Sequence, residues 1–260
     1  MPDGTPADSD ALEAALCRLP DLELLGVLRR SSNYTFLARL RERGDRQGGP
    51  DEEGRGGAAE GLLAVYKPAR GESPLWDFPT GTLYAREVAA YRLARMLGWP
   101  RIPPTVVREH APYGVGALQL FVAARPNVHY LVAEGMAERR WLEVAIFDVI
   151  ANNADRKSGH CLIDEQDRLW VIDHGLTFHV EHKLRTVIWD FAGARLPRQL
   201  RPDLERAAGE LEGGVLAEAL GPLLSTDEVA SLRRRIDDVL APRWRLPHPR
   251  SSWSVPWPPV

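Results

Sequence analysis

With 260 residues, 44% hydrophobic and 27% charged, the chain has room for one large domain or two small lobes and the make-up of an ordinary globular protein. A net charge of -3 argues against a nucleic-acid footprint, and no run of about 18 apolar residues offers a transmembrane segment. The polar start Met1-Pro2-Asp3-Gly4 is unlike a secretory signal, and Cys17 and Cys161 belong to no paired motif, so a cytoplasmic protein is expected.

The first predicted helix covers 10–19, with Asp10 and Glu13 spaced as a capping box. Strands follow at 22–28 and 34–40, around Arg29-Arg30-Ser31-Ser32-Asn33. From Gly44 to Gly61 the chain is Gly, Asp, Glu and Arg with almost nothing apolar, which predicts a flexible insertion. A third strand, 62–67, ends at Lys67 and is halted by Pro68. The stripe Val88, Tyr91, Ala94, Leu97 predicts a helix over 83–97, stopped by Gly98 and Pro100. Further strands are expected at 106–107 and 117–122, then an irregular stretch from 123 to 132 and a buried helix over 138–151. Two short strands, 161–163 and 169–172, flank the turn 164–167. Helices are expected at 202–220 and 226–240, the second opened by a Ser225/Glu228 capping box. Six prolines and three tryptophans in the last 19 residues preclude regular structure there.

Strands first, then a mostly helical half, make an α+β chain of two lobes. The expected divisions are an N-terminal lobe at 1–122 with the insertion at 44–61, a C-terminal lobe at 123–241 and a tail at 242–260.

The chemistry centres on two aspartates, in Asn153-Ala154-Asp155-Arg156-Lys157-Ser158-Gly159-His160 and in Ile172-Asp173-His174-Gly175. A loop Asp followed by a strand-end Asp-x-Gly is how kinase folds place a base and a metal ligand around a transferring phosphate. Asp155 is placed to orient an acceptor hydroxyl and Lys157 to neutralise phosphate charge. Asp173 is the favoured Mg2+ ligand, and His160 stands where a second metal ligand belongs. Lys67 is one of only three lysines beside 30 arginines, and a point charge suits phosphate. Glu87 could hold Lys67, and the turn Ser31-Ser32-Asn33 could cover phosphates through its N–H groups. Asp173, His174, His179 and His182, with His160 near, form an alternative metal cluster of metallohydrolase type. Asp190-Phe191-Ala192-Gly193 also looks like a metal loop, but it lies 35 residues beyond Asp155, too far for that role.

These stretches resemble the phosphatidylinositol 3- and 4-kinase superfamily, most nearly the type II phosphatidylinositol 4-kinases and an actinobacterial group similar to them. The likeness is carried by Val65-Tyr66-Lys67-Pro68, by Glu87–Leu93 leading to Pro103-Pro104-Thr105, by Gly116–Val122, and by Asn153–Arg156 leading to Ile172–Phe178. It implies an atypical protein-kinase-like fold that moves the γ-phosphate of ATP, with Mg2+, to a hydroxyl on a lipid headgroup, small molecule or protein. By that likeness Lys67 contacts the nucleotide phosphates and pairs with Glu87. Gln119, Leu120, Phe121 and Val122 receive the adenine, Asp155 is catalytic and Asp173 holds the metal. His160 stands where the family has a metal-binding Asn, so a nucleotide-binding pseudokinase acting as a regulatory module is the alternative. Neither nucleic acid nor a membrane span is implied.

Because the 44–61 composition cannot offset the entropy of ordering, replacing it with a short Gly-Ser turn is expected to leave ATP binding unchanged. Stability should move by less than about 0.5 kcal/mol. Thermal unfolding with and without ATP checks this; a shortened chain that fails to fold or bind makes the segment part of the working structure.

Overall fold

A computed structural model describes residues 6–28, 33–42, 61–133 and 135–260. Ser31, Ser32 and the expected insertion, apart from Gly61, lie outside the described residues. The chain divides into two compact units, Met1–Leu75 with Pro104–Phe121, and Trp76–Pro103 with Val122–Val260. The strands expected in residues 1–122 therefore keep together, while the helix between them groups with the C-terminal residues.

Among its described residues the first unit holds an antiparallel five-stranded sheet and the α-helix α1 (Pro6–Arg18). Pro6 opens α1 earlier than the capping-box reading placed it, so Asp10 and Glu13 lie inside the helix. The strands β1 (Asp21–Val27), β2 (Phe36–Arg41), β3 (Leu62–Pro68), β4 (Thr105–Arg108) and β5 (Gly116–Leu120) run in the order β1-β2-β3-β5-β4. Period-two alternation sends Phe36, Ala38 and Leu40 of β2, with Ala64 and Tyr66 of β3, to one face, where Leu16 of α1 covers them. Lys67 follows Tyr66 and therefore points to the other face, half-buried and opposite Ala117. Arg108 on β4 donates to the carbonyls of Leu16, Cys17 and Leu19 at 3.2, 2.6 and 2.8 Å, so the open end of α1 is capped by a guanidinium.

The second unit holds α2 (Leu83–Leu97), α3 (Glu138–Ala151), the hairpin β6 (Cys161–Ile163) and β7 (Leu169–Val171), α4 (Arg201–Glu210), α5 (Val215–Leu220) and α6 (Thr226–Leu240). One apolar core joins them, with Ala89, Leu93 and Leu97 of α2, Ile146, Phe147 and Ile150 of α3, and Leu232 and Ile236 of α6. That shared burial is why α2 groups here rather than with the strands it follows. Gly98 ends α2 in the left-handed region, φ 82°, where a side chain is strained. The helix expected over 202–220 is two helices. Gly213, at φ 111°, breaks it, and Glu210 accepts a 2.7 Å hydrogen bond from Val215 N–H at the new start. The tail is extended but not wholly irregular: a single 3-10 turn, Ser252–Ser254, is capped by the Ser251 hydroxyl. Among the described residues no helix is long and apolar enough to cross a membrane.

Candidate active site

The site grows out of the C-terminal end of α3. Asn152 terminates that helix at φ 53°, a left-handed position that Asn tolerates better than most residues. Its amide donates to the His179 and Glu181 carbonyls at 2.9 and 2.6 Å, and its oxygen accepts from Lys183 N–H at 2.8 Å. The next residue turns the chain: Asn153 Oδ1 accepts from Asp155 N–H at 3.0 Å, while its amide donates to Asp148 at 2.9 Å.

Beneath this loop lies an ion pair with no solvent exposure. Arg156 and Asp148 are both 0% exposed, and Nε and Nη2 reach the carboxylate at 3.0–3.2 Å. Burial opposes the guanidinium charge, but the Asp148 carboxylate, together with Cys161 and Asp173, outweighs it and holds the Arg156 pKa above its ordinary value. Nη1 donates to the Ile172 carbonyl at 2.8 Å and Nη2 to His174 Nε2 at 2.7 Å. One arginine thus ties the residue after Asp155 to the residues on both sides of Asp173.

Around that anchor the structure brings together Asp155, Lys157, His160 and Asp173. Lys157 Nζ lies 3.4 Å from Asp155, and His160 Nε2 lies 3.2 Å from Asp173. His160 Nδ1 accepts from Lys157 N–H at 3.3 Å, which leaves the ring proton on Nε2, facing the Asp173 carboxylate. In this arrangement the His160 ring stands against the Asp173 carboxylate. Asp173 adopts φ 61°, uncommon for a residue with a side chain, and its carboxylate is half exposed. Asp155 has its pKa pushed up, chiefly by burial and further by the Asp173 charge, with Lys157 and Arg185 pulling the other way. Two carboxylates in one another's field are a donor set that fits a hard divalent cation. The protonated His160 nitrogen fits one only after losing its proton.

The other expected residues are distributed as follows. Glu87 on α2 is 2% exposed and accepts from His174 N–H at 3.0 Å, so it braces the Asp173 loop. Lys67 belongs to the first unit. Asn33, also there, ties its side chain to Ser73 N–H at 2.8 Å. Gln119 is buried in β5 and donates to Thr105 at 2.9 Å. The N–H groups of Leu120 and Phe121 are committed to the Pro104 and Leu63 carbonyls, and Val122 opens the next stretch of the second unit.

The alternative histidine metal cluster is not formed: among the described residues no three His, Cys, Asp or Glu side chains gather to hold a metal. His174 is buried as an acceptor from Arg156 and packs edge-on to Phe147. His179 sits edge-on to Phe78. Burial and the charges of Arg250 and Arg235 hold His182 below the ordinary histidine pKa. Asp190 accepts the Tyr130 hydroxyl, an anchoring role rather than a metal one. Sequence reasoning missed Asp148, whose only signal is a lone acid deep in an otherwise apolar helical face.

No family model matches the chain. It is 37% identical to the Mycobacterium tuberculosis protein Rv2133c over 273 aligned positions, covering 92% of each chain. Among solved structures it is similar to that of a hydra Fam20 with sugar, at a TM-score of 0.50 and 17% identity, covering 91% of this chain and 89% of that one. A Helicobacter pylori proinflammatory kinase, CtkA, superposes with a TM-score of 0.44 at 11% identity, over 84% of this chain and 91% of that one. The fold is an α+β fold of atypical protein-kinase-like type.

Two outcomes are expected from this geometry. Arg156→Met leaves the Asp148 charge buried without its cation, and should cost about 3–5 kcal/mol in urea unfolding; adding Asp148→Leu should restore part of it. Asp155→Asn should raise stability near neutral pH, because a carboxyl whose folded pKa is raised weakens the fold as pH climbs from the unfolded value through the folded one. The gain should vanish below about pH 4, where both states hold the proton. A variant equally stable relative to the parent at both pH values removes burial as the governing influence on Asp155.

Proposed function

The chain belongs to the family of the Mycobacterium tuberculosis protein Rv2133c, and we propose that it is an atypical kinase that moves the γ-phosphate of ATP, with Mg2+, to a hydroxyl acceptor. One observation carries this reading. Asp155 and Asp173, 18 residues apart in sequence, are held around one buried arginine with Lys157 and His160 beside them. Phosphoryl transfer asks a protein for positioned charge more than for covalent chemistry, and this is such a constellation.

Asp155 accepts or orients the acceptor's hydroxyl proton, and its raised pKa suits a base working nearer neutral pH. Lys157 stabilises charge on the transferring group. Asp173 is the residue that would hold magnesium, which when bound neutralises phosphate charge. By the family resemblance Lys67 serves the nucleotide phosphates and the stretch from Gln119 to Val122 meets the adenine, while the turn Ser31-Ser32-Asn33 covers the phosphates through its N–H groups. That resemblance also makes a phosphatidylinositol headgroup one acceptor to try beside small alcohols and proteins. The cytoplasm, which supplies ATP, is the compartment that fits. A second reading, a nucleotide-binding pseudokinase, is favoured by His160 lying 3.2 Å from Asp173.

The test is ATP turnover, or self-phosphorylation, alongside ATP-induced stabilisation of about 2.7 kcal/mol at a hundredfold excess over Kd. Lys67→Ala should remove most of that stabilisation. Asp173→Ala should abolish transfer, and Asp155→Ala should slow it by about 10²–10⁴-fold with ATP binding retained. His160→Asn should keep or raise the rate, since an amide oxygen suits magnesium better than imidazole. A parent that binds ATP yet transfers nothing to any acceptor tried supports the pseudokinase instead.

A further inference from the structure

We propose that the segment Arg250–Val260 is a positioning strap for the phosphotransfer loop, its backbone carbonyls holding the residues that flank Asp155; the proposal rests on the reading just given. Three features carry it. The Pro259 carbonyl accepts from Ser158 N–H at 2.8 Å, three residues after Asp155 and two before His160. The Ser254 carbonyl accepts from Thr186 N–H at 3.0 Å and from Trp189 Nε1 at 3.2 Å. The Trp253 carbonyl accepts from Arg185 Nε at 3.0 Å, and Arg185 is a cation whose field reaches Asp155.

Each held residue is itself wired into the site. Thr186 pairs with Arg156 in a parallel bridge, and its hydroxyl points to Asp148 at 3.5 Å. Arg185 receives Arg156 N–H on its carbonyl and gives its own N–H to Asn153. The strap is rooted where Leu246, 2% exposed, exchanges backbone hydrogen bonds with Gly193 and Ala194. Its further course is broken only by the 3-10 turn Ser252–Ser254, with Ser254 and Pro256 buried while Trp253 and Trp257 are 80% and 85% exposed. The inner face therefore spends backbone carbonyls, not side chains, on the loop. A run of prolines suits this, since proline gives up its donor and keeps its acceptor.

Two shortened chains test the proposal. One ends at Trp257 and loses only the contact to Ser158; the other ends at Arg250 and loses all of them. Amide hydrogen exchange should speed up at Ser158 in both, and at Thr186 only in the shorter chain. Turnover should fall about 10-fold in the first and about 100-fold in the second, in line with the cost of misplacing a reacting group by about 1 Å. KM for ATP and the thermal shift with ATP should stay within twofold of the parent, which a general loss of stability would not spare. Adding the peptide Ser251–Val260 to the chain ending at Arg250 should restore part of kcat. If that chain does not fold, the chain ending at Trp257 decides alone. Full turnover in the shortened chains, or unchanged exchange at Ser158, overturns the strap while leaving the kinase reading intact. A parent that binds ATP without turnover overturns the kinase reading, and the strap's role with it.

Discussion

Arg156 and Asp148 set the terms for the second unit of this protein, where the candidate site lies. Two opposite charges with no access to water are tolerable only if their donors and acceptors are met, because an uncompensated buried ion costs several kcal/mol. Here the guanidinium meets a carboxylate, a backbone carbonyl and an imidazole, and the carboxylate also receives Asn153 and approaches Thr186. The partners come from α3, the Asp155 loop, the Asp173 loop and the 185–187 stretch. Satisfying one charge pair therefore fixes four chain segments at once, and Asp155 and Asp173 inherit their positions from it.

The Asp173 loop is held a second time from α2. Adjacent residues of that helix act on its two sides: Glu87 accepts His174 N–H at 3.0 Å, and Arg86 donates to the Thr177 carbonyl at 2.7 Å while pairing with Glu228 of α6. The loop is bounded by two non-glycine residues at positive φ, Asp173 at 61° and Phe178 at 63°. Such conformations persist only where the surroundings over-determine them. The hydrogen bonds from Ala154 N–H to Leu176 and from Phe178 N–H to Ala151, at 2.8 and 2.7 Å, close the remaining sides. Strain concentrated at the metal-ligand candidate is what a site that must present a carboxylate in one direction requires.

Much of this was legible along the chain. The α2 and α3 boundaries follow from periodicity and from Gly98, and the Ser225/Glu228 box marks the start of α6 through a purely local hydrogen-bond exchange. Asp155, Lys157, His160 and Asp173 were singled out by their spacing, and the fold sets Lys157 beside Asp155 and His160 beside Asp173. The misses share a cause. Asp148 and Arg156 were given no role from the sequence, because their pairing appears only once the loop after α3 folds back against that helix. The break between α4 and α5 depends on Glu210 reaching across to Val215, which periodicity does not report.

Sequence alone determined the α+β order of elements, the two acidic loops and the candidate residues, since propensity, turn chemistry and motif spacing act over a few residues. The tertiary structure decided which of those residues meet. It grouped α2 with the C-terminal residues through a shared apolar core, and gave Glu87 to the His174 amide. It dispersed the histidines that had suggested a metal cluster, and it drew the proline-rich tail onto the loop after Asp155. These outcomes turn on long-range burial, where a charge or a backbone carbonyl takes whichever partner the packed core leaves beside it.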